Sequence, residues 1–179
     1  MIILRQEFIA AKCSGLYIRA DMIVSRTFEI SAPPAGCSVK ISEFFNYWRS
    51  IHPDRSGIAL PGRQHFDPMD IPGLLPNIWL LNVFHNPPRF HVRLAGTVIT
   101  EYSGRDATGR WCHDIYDDFE ETGGYRCITA CARDGRPQFR VGSVIANPGR
   151  THMTAERLYL PLASNGRDVD VMANMTQYL

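Results

Sequence analysis

At 179 residues, with 45% apolar and 21% charged positions, the chain has the size and balance of one water-soluble domain plus an extension. Its 19 basic and 18 acidic residues are interspersed to a formal net charge of +1, so no basic field exists to hold a nucleic-acid backbone, and nowhere do apolar residues run together for the roughly 18 positions of a membrane span. The five cysteines, Cys13, Cys37, Cys112, Cys127 and Cys131, are odd in number and show neither a CxxC pair nor zinc-ligand spacing, which fits reduced thiols in a cytoplasmic protein.

In chain order, residues 1–38 show weak patterning. Arg5 and Glu7 interrupt the apolar start before it reaches the length of a signal peptide, and Ser31 to Gly36 reads as a linker. This segment is expected to be a poorly ordered N-terminal extension. Residues 39–76 read as a helical flanking segment. Ser42 suits an N-cap, and Phe44, Phe45, Trp48 and Ile51 follow at helical spacing, giving an amphipathic helix of about three turns that stops at His52-Pro53. Its aromatic stripe must be buried on its own domain or on a second copy of the chain. A turn at Leu60 to Arg63 and a short helix opened by Asp67-Pro68 complete the segment.

Asn77 to Phe84 and Phe90 to Leu94 form an antiparallel hairpin around the turn His85 to Arg89. Helical turns follow from Thr97 to Tyr102, then glycine-associated bends at residues 105–110. Asp114 to Arg133 reads as the longest helix, stopped by Asp134-Gly135-Arg136-Pro137. Three strands, Gln138 to Ala146, Thr151 to Leu162 and Val169 to Tyr178, close the chain as a meander through turns at residues 147–149 and 164–168. Hairpins at both ends with a helical crossover between them predict an α+β fold.

This order resembles a PAS domain, a sheet of five antiparallel strands split two plus three by a helical segment that covers one face. The chain is similar in particular to a bacterial branch of short stand-alone PAS proteins of unknown role. That similarity is carried by Tyr47-Trp48, Leu60-Pro61-Gly62-Arg63, Asp67-Pro68, Leu74-Leu75-Pro76, Arg93-Leu94-Ala95-Gly96-Thr97, the stretch Gly104 to Gly109 and the stretch Glu156 to Leu162. It implies a PAS-like domain over 77–179, preceded by the helical flank. It also implies a sensory or protein-interaction module without its own effector, signalling through a protein partner or as a homodimer. The wider family binds haem, flavins, small carboxylates or nothing, so the resemblance assigns no cofactor. Dimerisation through a flanking helix is common in it, which makes Phe44, Phe45 and Trp48 the candidate contacts.

On the strands, Phe90, Val92 and Leu94 share one face by alternation, as do Leu158, Leu160 and Leu162. They either fill a core or line a ligand pocket beneath the Thr97 to Arg133 helices. His113, beside Trp111 and Cys112, is the one place suited to haem or metal ligation, against the alternative of a capping or surface histidine; no second ligand stands at a diagnostic spacing, so no metal site is assigned. A small enzyme using such a cavity would have only Cys112 with His113 as a dyad, and chain neighbours rarely present side chains to each other, so no catalytic residue is assigned. A ligand-free structural adaptor is the third reading. Arg93 and Arg157 sit on strands either as solvent-face charges or, for one of them, in a small anion site. No Asn-Cys-Arg-Phe motif of flavin photochemistry is present, and Gly104 to Gly109 lacks the Gly-Lys-Ser/Thr end of a phosphate loop.

Overall fold

The computed structural model describes residues 26–54, 58–144 and 153–179. It contains β1 (Arg26–Glu29), α1 (Val39–Ser50), β2 (Ile78–His85), β3 (Pro88–Ala95), α2 (Thr97–Ser103), α3 (Cys112–Ile115), α4 (Gly123–Asp134), β4 (Gln138–Ser143), β5 (Thr154–Leu162) and β6 (Val171–Tyr178), with 3-10 turns in the connections. The strands form one antiparallel sheet in the order β1-β4-β5-β6-β2-β3. The sheet thus has six strands rather than five. The sixth is β1, from the segment that reads as an extension; it pairs Phe28 with Phe139 and Glu29 with Gln138. The Glu29 carboxylate also meets Arg136 Nη1 at 2.8 Å. The expected β4–β5 turn at residues 147–149 lies outside the described residues.

Two helices begin elsewhere than the sequence suggests. α1 starts at Val39 with Ser38 as its N-cap, and the Ser38 amide donates to Glu156 Oε2 at 2.9 Å across the fold. Ser42, the expected cap, instead lies inside the helix, where its amide donates to the Ser38 carbonyl at 3.2 Å. The long helix expected from Asp114 is broken in two. α3 ends at Ile115, Asp118 takes a left-handed backbone (φ 50°), and α4 opens only at Gly123, where the Thr122 hydroxyl accepts from the Tyr125 amide at 3.0 Å. Gly135, at φ +63°, ends α4.

Strand alternation sends successive side chains to opposite faces, and both faces are covered. Ile78, Leu80, Leu158, Leu160, Leu162, Ala173 and Met175 pack with Ile41, Phe44, Phe45 and Trp48 of α1. Leu81, Val83, Phe90, Val92, Tyr159 and Met172 pack with Cys112, Ile115, Cys127, Ile128 and Cys131 of α3 and α4. The middle helices therefore cover one face, as expected, while the preceding helix α1 covers the other.

A β-bulge corrects one expectation. Leu80 pairs with Leu94 but Leu81 with Val92, which leaves Arg93 as the extra residue. The alternation resets there, so Leu94 does not share the face of Phe90 and Val92, and it is 45% exposed. It cannot line an interior pocket.

Candidate functional site

The sheet face beneath α3 and α4 holds polar side chains that its burial would not normally admit. Arg140 on β4 lies directly opposite Arg157 on β5, which lies opposite Thr176 on β6. Tyr159 lies opposite Asn174, and Asn174 opposite Trp79. Trp79 Nε1 donates to Thr176 Oγ1 at 3.2 Å. Like charges facing each other across a strand pair repel.

Asn174 is 0% exposed, and among the described residues neither its Oδ1 nor its Nδ2 has a hydrogen-bond partner. Arg157 Nη1 is buried and also unpartnered there, while Nη2 donates to the Ser143 carbonyl at 3.5 Å. Buried polar groups are seldom left this way, and each instance calls for water, an ion or a ligand. Arg140 is only 6% exposed; burial, and next the neighbouring Arg157 charge, push its guanidinium below the ordinary value. Burial raises the phenols of Tyr116 and Tyr159, with Arg157 among the charges pulling each the other way.

The first turn of α4 sits over this cluster. A Cβ added to Gly123 would lie 2.9 Å from Arg140 Nε, so the guanidinium packs directly against the helix backbone there. The N-terminal amides of a helix have no intrahelical acceptors and carry partial positive charge. The buried Arg140 guanidinium thus lies against the N-terminus of α4, with half-buried Arg157 opposite it on β5.

The PAS domain family model matches residues 38–175. The chain belongs to the PAS domain family. The match begins at the N-cap of α1 and so takes in the helical flank as well as the sheet. One similar solved structure is that of an RNA-binding Light-Oxygen-Voltage receptor; it is 12% identical with a TM-score of 0.48, over 86% of this chain and 38% of that one. This chain therefore spans well under half the length of that receptor. No curated protein matches the chain.

Within this PAS domain the expected pocket residues divide. Phe90 and Val92 are buried on the face of the polar cluster, whereas Leu158 and Leu160 are buried on the opposite face, under α1. They cannot line one pocket. Phe44, Phe45 and Trp48 are at most 6% exposed, and Trp48 Nε1 donates to the Pro161 carbonyl at 2.9 Å. Their stripe is turned onto the sheet of the same chain and offers no surface to a second copy.

His113 packs edge-on to Phe119 and Tyr125, with ring centroids 5.2 and 6.3 Å away, and its Nε2 lies 3.4 Å from Glu120 Oε1. Among the described residues, no group of three or more His, Cys, Asp or Glu could hold a metal. Cys112 is 1% exposed, and burial pushes its thiol up to about 12. A thiol so protonated supplies no nucleophile to pair with His113. Phe90 also forms part of the floor of a cleft of about 420 Å³, with Thr129, Ala132 and Val169, rimmed by Arg133 and Asp168.

Arg157 is legible in the sequence as an anion-site candidate; Arg93, its alternative, stands at the bulge with Nη1 3.5 Å from Asn82 Oδ1. Arg140, Asn174, Thr176 and Tyr116 escape a reading of the sequence alone. Their signal lies in phase: Arg140, Arg157 and Asn174 occupy the inward positions of strands whose other inward residues are buried.

Proposed function

We propose that this PAS domain is a sensory module that binds a small ligand between its sheet and α3–α4, and passes the resulting change to a protein partner. Asn174 supports this above all: fully buried at the centre of the sheet, it leaves its donor and its acceptor unused among the described residues. Maintaining an unsatisfied amide in a core costs stability, and such costs gather where function requires them. Fold alone would not carry the reading, since PAS domains serve many ends.

Native mass spectrometry of the protein purified from its own host tests it. A retained small-molecule mass, lost on denaturation, is the expected result. A bare polypeptide mass, together with no stabilisation by any member of a broad metabolite panel, would overturn the sensory reading and leave a structural adaptor. Enzymatic use of the same space has no activated cysteine to support it, because Cys112 is held as a thiol.

A further inference from the structure

We infer that the β2–β3 edge of the sheet docks a second copy of this chain, the cationic aromatic patch of each copy meeting the acidic segment 114–121 of the other. This goes beyond the sensory reading and stands independently of the ligand site.

Helix α1 packs over β5 and β6, and beyond it the same side of the hairpin stays open. Phe90 and Val92 point to the α4 side, so Arg89 and His91 point to the other, as does Phe84 opposite Arg89. Trp111 completes this surface from the next segment. Its ring centre lies 5.2 Å from that of Phe84 and 5.1 Å from that of His91, with the Arg89 guanidinium carbon 4.3 Å away. Phe84 and Leu94 are 48% and 45% exposed, and Arg89 and Arg93 are exposed beside them. No Asp or Glu occurs between Asp70 and Glu101, and among the described residues neither arginine meets a carboxylate. Exposed aromatics beside arginine, without lysine or acid, have the composition of an interface core rather than of a solvated surface.

The complementary charge follows directly along the chain. Asp114, Asp117, Asp118, Glu120 and Glu121 are exposed, and they lie on the other side of β3, since Cys112, Ile115 and Phe119 among them pack with Phe90 and Val92. Glu120 has His113 beside it, while Arg105 and Arg126 spend their hydrogen bonds on the Ile115 and Glu121 carbonyls. Among the described residues, Asp114, Asp117, Asp118 and Glu121 form no ion pair. The β3 edge is therefore cationic on one face and acidic on the other. A two-fold axis parallel to β3 joins two such edges with their faces exchanged, so the arginines of each copy meet the carboxylates of the other. An axis normal to the sheet would set like charge against like. Side chains make the contact, because the backbone edge of β3 at Val92 is already bonded to Gly109 and Arg110.

Sedimentation velocity of the full chain at about 100 μM, above the micromolar Kd of a modest interface, tests this. At about 0.1 M salt the expected mass is twice the 20.2 kDa of one chain. At about 1 M, where the Debye length shrinks from about 10 to about 3 Å, the Kd should rise at least about tenfold. The charge-reversed variants Arg89→Glu/Arg93→Glu and Asp114→Arg/Asp117→Arg should each be monomers with the circular dichroism of the parent. Mixed one to one they should form a heterodimer, since each offers the other opposite charge at both contacts. If the first variant unfolds, Arg93→Glu alone replaces it, at a side chain held only by Asn82 among the described residues. A parent that is monomeric at both salts would overturn the proposal, as would a parent dimer whose mass neither variant changes. A monomeric parent that binds oligo(dT) or a poly-glutamate peptide would give the patch another occupant and overturn it too.

Discussion

Replacing Asn174 by valine removes an amide whose oxygen and nitrogen are both buried without partners among the described residues. Leaving one such group unsatisfied costs about 1–3 kcal/mol, and valine fits a strand interior better than asparagine does. The ligand-free variant should therefore gain about 1–3 kcal/mol over the parent. For a domain of this size each kcal/mol moves Tm by roughly 2–4 °C, so a rise of at least a few degrees is expected. Urea titration followed by tryptophan fluorescence reads the change, since the midpoint should rise while the slope with denaturant stays constant. The same variant should lose its response to any ligand that stabilises the parent. A loss of about 1 kcal/mol or more would refute the reasoning, because it would show that the amide is satisfied in the folded protein by ordered water and belongs to the scaffold.

A methyl group added at Gly96 would run into the Pro76 carbonyl oxygen and lie 2.6 and 2.7 Å from those of Leu75 and Ile78, so Gly96→Ala should cost roughly 2–3 kcal/mol in the same urea titration. Trp48→Ala should cost about 3–5 kcal/mol by emptying the space beneath α1, with no change in mass by light scattering. Burial against Trp48 lowers the pKa of His52, so the unfolded chain binds the extra proton first as pH falls below about 6.5. Stability should accordingly decline from that pH toward the lower folded-state value, and His52→Gln should flatten the decline in thermal melts taken between about pH 7.5 and 5. Cys112 should resist iodoacetamide at about pH 8 in the native protein and react once urea unfolds it, as peptide mass mapping would show.

Much of the fold can be read from periodicity because its longest elements obey it. The stripe Phe44, Phe45, Trp48 on α1 and the alternation of β5 both appear in the structure. Three features escape because tertiary contacts decide them. β1 is four exposed residues whose reason to be a strand is the open edge of β4. Leu94 is turned outward by a bulge at Arg93 that no local residue signals. Phe90 and Leu158 each obey alternation within their own strand, but the relative phase of two strands is fixed by register, which a single strand's pattern does not contain. The arginine pair escapes for that last reason too: Arg140 and Arg157 become neighbours only once β4 and β5 are aligned.

The division of the sheet into two faces bears on how a bound ligand could be felt elsewhere. β5 presents Arg157 and Tyr159 to the polar cluster and Leu158, Leu160 and Leu162 to α1. Both ends of α1 are tied to that same strand, at the start by the Ser38 amide on Glu156 Oε2 and near the end by Trp48 Nε1 on the Pro161 carbonyl, each at 2.9 Å. These two anchors flank Arg157 and Tyr159 in sequence. A displacement of β5 normal to the sheet would therefore carry the two ends of α1 together and move the helix as a rigid body. The face of α1 turned away from the sheet carries exposed Glu43, Asn46 and Arg49. A ligand can shift such an equilibrium only by as much as it prefers one position of the strand. A ligand bonded to Asn174, which lies opposite Tyr159 of β5, would supply that preference through its hold on the strand that carries both anchors.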